Sequence, residues 1–403
     1  MESYPVLTPL LRRLPGVFAT AFLASLFAAI PARAGDWEVV RHGGMDYVTV
    51  QSLAQFYGFA GAVAPVSQMQ ATNPLAPQTK KLLLDNGKHQ IELTLNDRLA
   101  VIDGVNQWLG FPVAAEGDKL VISRLDLVKV IEPTLRPEMI SGLGPVNTVV
   151  LDPGHGGHDK GAVCIFGDEK DFALDVCMRL RKILQAKGLN VVMTRSDDTF
   201  IPLEQRPAPA NNTPNSVFVA IHFNDAIANP NATGYEIYSI TPQGEPSTAD
   251  EGVALHDLRQ EPGNVTDVQS LALSTSIYHS MLGNVPEFDR GVKHARFAVI
   301  RLAKVPAVLI EGGFVSSGAE ARRIATPAYR QSLADAIANG ITGFKTLAEH
   351  KIPPKLLMAY RASPPPQIAP IVQTNTTAPS GLSAIAPISP ISSPSPAGPS
   401  VTH

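Results

Sequence analysis

Between residues 146 and 348 the chain alternates two patterns of apolar positions. Short apolar runs typical of buried strands are separated by stretches in which apolar residues recur every three to four positions, as on one face of a helix. The predicted strands are Thr148–Leu151, Asn190–Thr194, Ser216–Ile221, Tyr235–Tyr238 and Ala307–Ile310, and the predicted helices are 170–187, 270–282 and 327–347. Alternating strands and helices are typical of the α/β class, so we predict a sheet with helices packed on both faces.

Residues 36–137 follow a different pattern. Short β-type runs, such as Ile91–Leu95 and Lys119–Ser123, alternate with hairpin dipeptides of the Asn-Gly and Asp-Gly type. We therefore predict a small β-rich accessory domain over residues 36–137, followed by a catalytic domain over residues 146–348. The β-rich part contains no group of side chains that suggests chemistry.

The first 34 residues have the pattern of a secretory signal. A pair of arginines precedes the uncharged run Val17–Ile30, and Ala32 and Ala34 then stand at the two positions that a signal peptidase reads. As a helix this run would rise only about 21 Å, less than the roughly 30 Å of a bilayer core, which favours cleavage over a membrane anchor. We expect an exported protein, periplasmic or extracellular, with no membrane attachment after cleavage.

Composition narrows the class of partner. The 403 residues carry a formal net charge of −3, which gives no electrostatic case for a nucleic-acid partner, because such a partner would need a clustered basic face. Residues 352–403 are dominated by proline, serine and alanine and predict a disordered tail, because they cannot bury enough apolar surface to offset the entropy of ordering. The oligomeric state is open, and a monomer is favoured.

Three residues with metal-binding side chains follow predicted strands or begin a helix. His155 lies in a glycine-rich turn after the first predicted strand, His222 follows the third, and Glu169 begins the first helix. A glycine-rich turn with one histidine is usually only a turn, but a second histidine at another strand end indicates convergence. Two histidines and a carboxylate with an open fourth position are the ligand set of catalytic zinc.

A fourth candidate is Glu311, which follows the apolar strand of residues 307–310 and precedes two glycines. A glutamate delivered into a glycine turn beside two histidine-bearing strand ends predicts a shared cleft. By itself it would more readily be interpreted as a helix cap or a salt-bridged carboxylate. The residues alone predict an open zinc site with hydrolytic chemistry.

Four blocks of this region resemble one known family, the zinc-dependent N-acetylmuramoyl-L-alanine amidases that cut bacterial peptidoglycan. The blocks occur in the family's order and spacing, within residues 148–347, at residues 149–157, 169–171, 206–224 and 305–316. The resemblance implies one Zn²⁺ per catalytic domain, held by His155, Glu169 and His222. It also implies that Glu311 is the catalytic glutamate, which activates a water against the amide between N-acetylmuramic acid and L-alanine.

The same resemblance implies peptidoglycan as the partner, a role in wall turnover or cell separation, and the use of a protein activator as an open alternative. His158 departs from the family pattern and could compete with Glu169 as a ligand. Asn224 is a candidate substrate or outer-shell contact, with a plain turn residue as the equal alternative. Arg206 could meet a peptide carboxylate, although a surface salt bridge is favoured. Residues 36–137 loosely resemble the small N-terminal domain of copper amine oxidases, which implies binding or positioning.

Two further features leave alternatives open. Residues 242–269 form a long excursion between a strand and a helix, either a lid whose Asp250, Glu251 or His256 reaches the metal, or a mobile surface loop, which is favoured. Cys164 and Cys177 could form a disulfide in an exported protein, and a buried free thiol at residue 177 is the competing interpretation.

Two rival functions remain. The ligand set also suits another zinc peptidase or deacylase of the cell wall, because only the family resemblance selects the bond. A non-catalytic peptidoglycan-binding protein on the same fold is the second alternative. Such proteins typically lose a ligand or the glutamate, and all four residues are present in this chain.

Overall fold

The structure is a computed structural model that describes residues 37–69, 80–226, 229 and 231–353. The predicted signal sequence and nearly all of the predicted tail lie outside these residues. Within the described ranges, no helix is both long and apolar enough to cross a bilayer.

The elements follow the predicted α/β order, with additional strands in the N-terminal part. The strands are β1 Val39–His42, β2 Met45–Thr49, β3 Lys81–Asp85, β4 Gln90–Thr94, β5 Leu99–Ile102, β6 Val105–Trp108, β7 Ala114–Glu116, β8 Lys119–Ser123, β9 Thr148–Pro153, β10 Val163–Cys164, β11 Gly167–Asp168, β12 Asn190–Met193, β13 Ser216–Asn224, β14 Tyr235–Ile240, β15 Asp289–Ala295 and β16 Ala307–Phe314. The helices are α1 Val50–Tyr57, α2 Arg124–Asp126, α3 Glu132–Leu135, α4 Glu169–Ala186, α5 Ala208–Asn211, α6 Asp267–Met281, α7 Ala298–Arg301, α8 Gly318–Ile324 and α9 Pro327–His350.

Ten of the described strands form one sheet in the order β12-β9-β13-β16-β14-β15-β6-β5-β4-β3. Strands β12, β9, β13 and β16 are mutually parallel, whereas β14 runs antiparallel to β16. The parallel strands all present their carboxyl ends at the same edge, where side chains from several strands can meet.

Apolar side chains of alternate residues cover the two faces of this sheet. On one face, which we call the helix face, Val149, Val219 and Ile310 belong to the main core together with residues of α4, α6 and α9. On the other, which we call the site face, Val150 and Phe218 pack with residues of the four-residue helices α5 and α7. Helices lie on both faces, as predicted, but the long ones share one side.

The helix face is closed by the long C-terminal helix. Thr326 caps α9 by accepting a hydrogen bond from the backbone N–H of Tyr329, and Pro327 occupies the first turn. Gly340 lets α9 approach α6 closely, because a Cβ atom at this position would lie 2.3 Å from the Cα of Ile277. This contact brings the two helices together over the centre of the sheet.

The β-rich N-terminal part is present as predicted, but it also extends the sheet of the catalytic part. Strand β6 pairs with β15 at Gln107 and Val292. The side chain of Gln107 donates to Thr275 of α6 at 2.9 Å. Buried residues from both parts form one continuous core. The sequence pattern did not predict β15, because its charged residues hide the strand alternation.

The excursion between β14 and α6 is held against the N-terminal part. Arg98 donates to the backbone carbonyls of Ser247 and Asp250, at 3.3 and 2.9 Å. Glu245 is fully buried, and a Cβ atom on Gly110 would lie 2.7 Å from its carboxyl carbon. These contacts hold the start of the excursion in place, whereas residues 249–256 are exposed, and the mobile surface loop stays a prediction.

The two cysteines are free thiols, so the disulfide alternative is wrong. Cys177 is fully buried in α4, and burial raises the pKa of its thiol well above the ordinary value. Cys164 is half-buried, and its Sγ lies 3.4 Å from the carbonyl oxygen of Gly167.

Candidate metal centre

His155 lies in a tight turn just beyond β9. Its backbone φ is +58°, a left-handed conformation that is uncommon outside glycine. The imidazole is oriented from behind, because Nδ1 lies 2.9 Å from a carboxylate oxygen of Asp159. The hydrogen bond to Asp159 leaves Nε2 directed toward the site, as is usual for a metal-binding histidine.

The glycines of the two loops leave room for the ligands to meet. A Cβ atom on Gly154 would lie 2.3 Å from the imidazole of His222. A Cβ atom on Gly161 would lie 2.5 Å from the carboxylate of Glu169. Any larger residue at either position would therefore occupy space that the cluster uses.

Glu169 is the first residue of α4 and connects the two histidines. Its Oε1 lies 3.0 Å from Nε2 of His155 and 3.0 Å from Nδ1 of His222. The carboxylate also accepts backbone N–H groups, from Phe223 at 3.0 Å and Ala162 at 2.9 Å. Burial alone would raise the pKa of Glu169, but the hydrogen bonds and charges of the histidines hold it far below its ordinary value.

The side chains of His155, Glu169 and His222 converge. Their ligand atoms all lie within 4.8 Å of one another. In a tetrahedral zinc site with bonds of about 2.0–2.1 Å, neighbouring ligand atoms are roughly 3.4 Å apart. The two 3.0 Å distances between Glu169 and the histidine nitrogens are slightly shorter than that spacing. The donor set and its spacing therefore fit one divalent ion with a position left open.

Glu311 lies beside this group. It was predicted to follow its strand, but the strand continues to Phe314, so Glu311 lies inside β16 and pairs directly with His222 of β13. Its Oε2 is enclosed and has no hydrogen-bond partner among the described residues. Burial, together with repulsion from Glu169 and Glu236, raises the pKa of Glu311 well above its ordinary value. Direct strand pairing therefore places this carboxyl group on the same face as a ligand.

Arg206 lies neither in a surface salt bridge nor free to meet a peptide carboxylate, the two settings that the sequence suggested. Only 1% exposed, it pairs with the fully buried Asp152 at 3.0 Å and donates to the backbone carbonyl of His155 at 2.9 Å. The favoured surface salt bridge is wrong, because the pair is internal. A peptide carboxylate would also have to displace bonds that hold the His155 turn in place.

His158 and Asn224 are likewise held by neighbours. The imidazole of His158 packs on the ring of Phe200, with centroids 4.3 Å apart, and is not part of the three-residue group. Asn224 is the last residue of β13, and its amide donates to Glu236 at 2.9 Å. Asp250, Glu251 and His256 of the long excursion also lie outside the group.

Sequence reasoning missed the polar residues next to Glu311. Glu236 pairs with Glu311 across β14 and β16 and is 3% exposed. Its carboxylate is bound by Arg290 and Lys293 of β15. A glutamate between apolar residues of a predicted strand is the one signal that could have identified it.

Comparisons with known proteins point to one family. Residues 149–343 match the family model described as N-acetylmuramoyl-L-alanine amidase. The N-acetylmuramoyl-L-alanine amidase AmiA of Escherichia coli K12 is 30% identical over 250 residues, which cover 57% of this chain and 86% of that protein. The amidase AmiC of Escherichia coli O6:H1 is 33% identical over 218 residues, 49% of this chain and only about half, 52%, of that protein. A crystal structure of the amidase from Clostridium difficile 630 is 31% identical, covers 50% of this chain and 97% of its own, and has a TM-score of 0.42.

Proposed function

The chain belongs to the N-acetylmuramoyl-L-alanine amidase family, and on that premise we propose that it hydrolyses the amide between N-acetylmuramic acid and L-alanine in peptidoglycan. One observation carries the proposal. A three-residue ligand group and a glutamate with an unpartnered oxygen lie side by side at the open edge of one sheet. This pairing of an open metal site with a proton-handling group is suited to hydrolysis.

In this proposal His155, Glu169 and His222 hold one Zn²⁺. When bound, zinc supplies a Lewis acid that polarises the scissile carbonyl and makes a water molecule more acidic. Asp159 fixes the tautomer and the direction of the His155 ring. Glu169 is held in place by two backbone N–H groups, which keeps it ionised and oriented.

Glu311 handles the proton. In its ionised form the carboxylate would accept a proton from the attacking water and pass it to the nitrogen of the leaving L-alanine. The positive charge of a bound Zn²⁺ would favour that form, because it would offset the burial and the repulsion from Glu169 that raise the pKa of Glu311. The parallel pairing with His222 keeps Oε2 on the face where the substrate amide must lie. No neighbouring side chain in the described part of the chain engages Oε2, and the residue as a whole is half-buried, so the carboxyl group is not committed to another partner.

The proposal extends to the protein's setting. We expect export to the periplasm or the cell exterior, action on peptidoglycan in wall turnover or cell separation, and no nucleic-acid partner. A protein activator and the oligomeric state are left open, and a monomer is favoured. The resemblance of residues 36–137 to the copper amine oxidase N-terminal domain stays a prediction, with a binding or positioning role.

The test uses the chain from residue 35 onward, loaded with zinc and incubated with purified peptidoglycan. Mass spectrometry of the products should detect intact stem peptides that begin with L-alanine. Fragments cut inside the stem would instead identify a wall peptidase. A protein that binds zinc and peptidoglycan but releases nothing would be a binding protein.

Two variants separate the roles of the residues. Glu311→Gln should keep about one zinc per chain, measured by elemental analysis, and lose about 10²- to 10⁴-fold in rate. His222→Ala should lose both zinc and activity. Glu116→Gln, at an exposed glutamate of β7 in a separate sheet, is the matched control and should retain both. Substantial activity in Glu311→Gln would remove this residue from the proton role.

A further inference from the structure

Two cations of β15 share a single carboxylate next to Glu311. Oε2 of Glu236 accepts a hydrogen bond from Arg290 Nε at 2.7 Å and another from Lys293 Nζ. Its other oxygen accepts the amide of Asn224 at 2.9 Å and the hydroxyl of Tyr238 at 2.8 Å. Among the described residues, Glu236 is the one carboxylate that Arg290 and Lys293 both contact, so these two cations share a single partner.

A β-bulge brings the two cations to the same face. Residues three apart in a regular strand point to opposite faces, because side chains alternate. The pairing of β14 and β15 shifts register between Tyr235 and Ile237, opposite Arg290 and Gly291. Gly291 has φ +93°, and a Cβ atom there would lie 2.7 Å from the backbone oxygen of Asn106. The glycine allows the bulge, and the bulge turns Arg290 and Lys293 toward the same carboxylate.

The cluster is buried on the Glu236 side and open on the Arg290 side. The Glu236 side chain is 4% exposed, that of Lys293 is 12% exposed and that of Arg290 is 30% exposed. The guanidinium of Arg290 lies 5.0 Å above the ring of Phe314. Arg290 Nη1 also donates to the backbone carbonyl of Thr233 at 3.2 Å, which helps to fix the plane of the guanidinium. A planar guanidinium that is held on an aromatic ring and partly exposed is suited to binding a carboxylate in a defined direction.

The N-terminal part supplies one wall of this cluster. The indole N–H of Trp108 in β6 donates to the backbone carbonyl of Arg290 at 3.1 Å. Lys293 Nζ lies 5.7 Å from the centre of the Trp108 ring and 5.8 Å from that of Tyr238. The β-rich part thus positions two charged residues of the catalytic part.

The spacing between strands sets how far the two cations lie from Glu311 and the proposed scissile amide. Only β14 lies between β16, which carries Glu311, and β15, which carries the cations. Two inter-strand spacings amount to about 10 Å. An extended peptide spans about 3.3–3.6 Å per residue, so a group within about three residues of the scissile bond can reach them.

We propose that Arg290 and Lys293 form a subsite for a carboxylate of the released peptide, with Trp108 as a positioning residue. The inference rests on the proposed amidase function and names a specificity element of the same site. In the stem peptide the α-carboxylate of the γ-linked D-glutamate, next after L-alanine, lies within that reach. An enzyme with this subsite distinguishes the free acid from the α-amide.

Kinetics with two matched substrates test the subsite. The substrates are N-acetylmuramoyl-L-Ala-γ-D-Glu-L-Lys and the same molecule with D-isoglutamine in place of D-glutamate. The zinc-loaded wild type should cleave the acid with kcat/KM about tenfold above the amide, mainly through KM, because hydrogen bonds to a charged group are strong. Lys293→Met and Arg290→Met should bring the ratio near one, and Lys293→Arg should restore part of it.

Trp108→Phe keeps the ring and loses the N–H donor, so it should lower the ratio through a higher KM for the acid substrate. Lys345→Met removes an ion pair with Glu349 on α9 and is the control, with an unchanged ratio. Equal kcat/KM values for acid and amide in the wild type would overturn the subsite.

Binding separates failure of the subsite from failure of the proposed function. The product peptide L-Ala-γ-D-Glu-L-Lys and its α-amide are titrated calorimetrically into the full mature chain and into Lys293→Met. If neither muramoyl substrate is cleaved, the proposed function fails. If the wild type binds the acid peptide more tightly than its α-amide, and Lys293→Met does not, the subsite would still be supported. Equal binding of both peptides would overturn it.

Discussion

The two faces of the central sheet share the same strands but differ in what covers them. On the helix face, α4, α6 and α9 bury a continuous apolar core. On the site face, the short helices α5 and α7 cover a smaller apolar cluster and leave the carboxyl ends of the strands free. Asp152, His222 and Glu311 lie on the site face. Each directly follows a core residue of the helix face, namely Leu151, Ile221 and Ile310, because successive side chains of a strand point to opposite faces.

This difference assigns stability and chemistry to opposite sides of one sheet. Burial of apolar side chains on the helix face supplies the main favourable free energy. The site face carries buried charges and an enclosed carboxyl oxygen without a partner, which oppose folding. The site face can hold such groups because the other face compensates for them.

Arg206→Met should give the largest effect, because it leaves the fully buried Asp152 without its cation. We expect a loss of about 3–5 kcal/mol in the free energy of unfolding, measured by urea denaturation. Arg41→Met, which removes an exposed ion pair with Asp46, should cost less than about 1 kcal/mol. A loss in Arg206→Met as small as in the control would show that the site face does not depend on this buried pair.

Gly340→Ala tests the helix face. The new Cβ would meet backbone atoms of α6, which cannot move aside as a flexible side chain could. We expect a loss of about 1–3 kcal/mol in thermal unfolding, with unchanged kcat for the folded fraction. Gly318→Ala, where nothing lies within 4 Å of the added atom, is the matched control. A fall in kcat without a loss of stability would break the separation between the faces.

Asp159→Ala tests the site without the core. The variant removes the carboxylate behind His155 and should weaken zinc binding about 10- to 100-fold, measured by chelator competition. Thermal stability of the zinc-free protein should change little, because the Asp159 side chain is 38% exposed. Asp118→Ala, at a carboxylate that binds Ser67 in the N-terminal part, should leave zinc affinity unchanged. Unchanged affinity in Asp159→Ala would mean that the turn alone orients His155.

His279 gives the smallest expected effect. It is buried in α6, and burial lowers its pKa to about 4, opposed only in part by Asp103. The unfolded chain binds a proton below about pH 6.5, whereas the folded chain stays neutral there, so stability falls as pH decreases from about 6.5 toward 4. His279→Leu should reduce the loss of stability between pH 7.5 and pH 5 by about 1–2 kcal/mol.

The control for this prediction is His256→Leu, at an exposed histidine of the excursion. It should leave the pH dependence of unfolding as in the wild type. An identical pH dependence in His279→Leu and the wild type would show that His279 is not a source of it.

Local pattern predicted much of the fold and the ligand group. The predicted helix 170–187 corresponds to Glu169–Ala186, and the strand Lys119–Ser123 has the predicted bounds. His155, Glu169 and His222 could be named because glycine-rich turns, strand ends and ligand chemistry are local properties. Strand β15 could not be predicted from local pattern, because Arg290 and Lys293 interrupt its apolar alternation and a bulge changes its register.

The sequence alone determined the α/β class, the three candidate ligands and the candidate proton carrier, because each follows from residue type and short-range period. Only the tertiary structure shows that Arg206 forms an internal ion pair with Asp152 and that Glu236 lies beside Glu311. It also joined the N-terminal strands to the catalytic sheet. These features depend on pairing between residues far apart in the chain, and no local pattern specifies which distant strand becomes a neighbour.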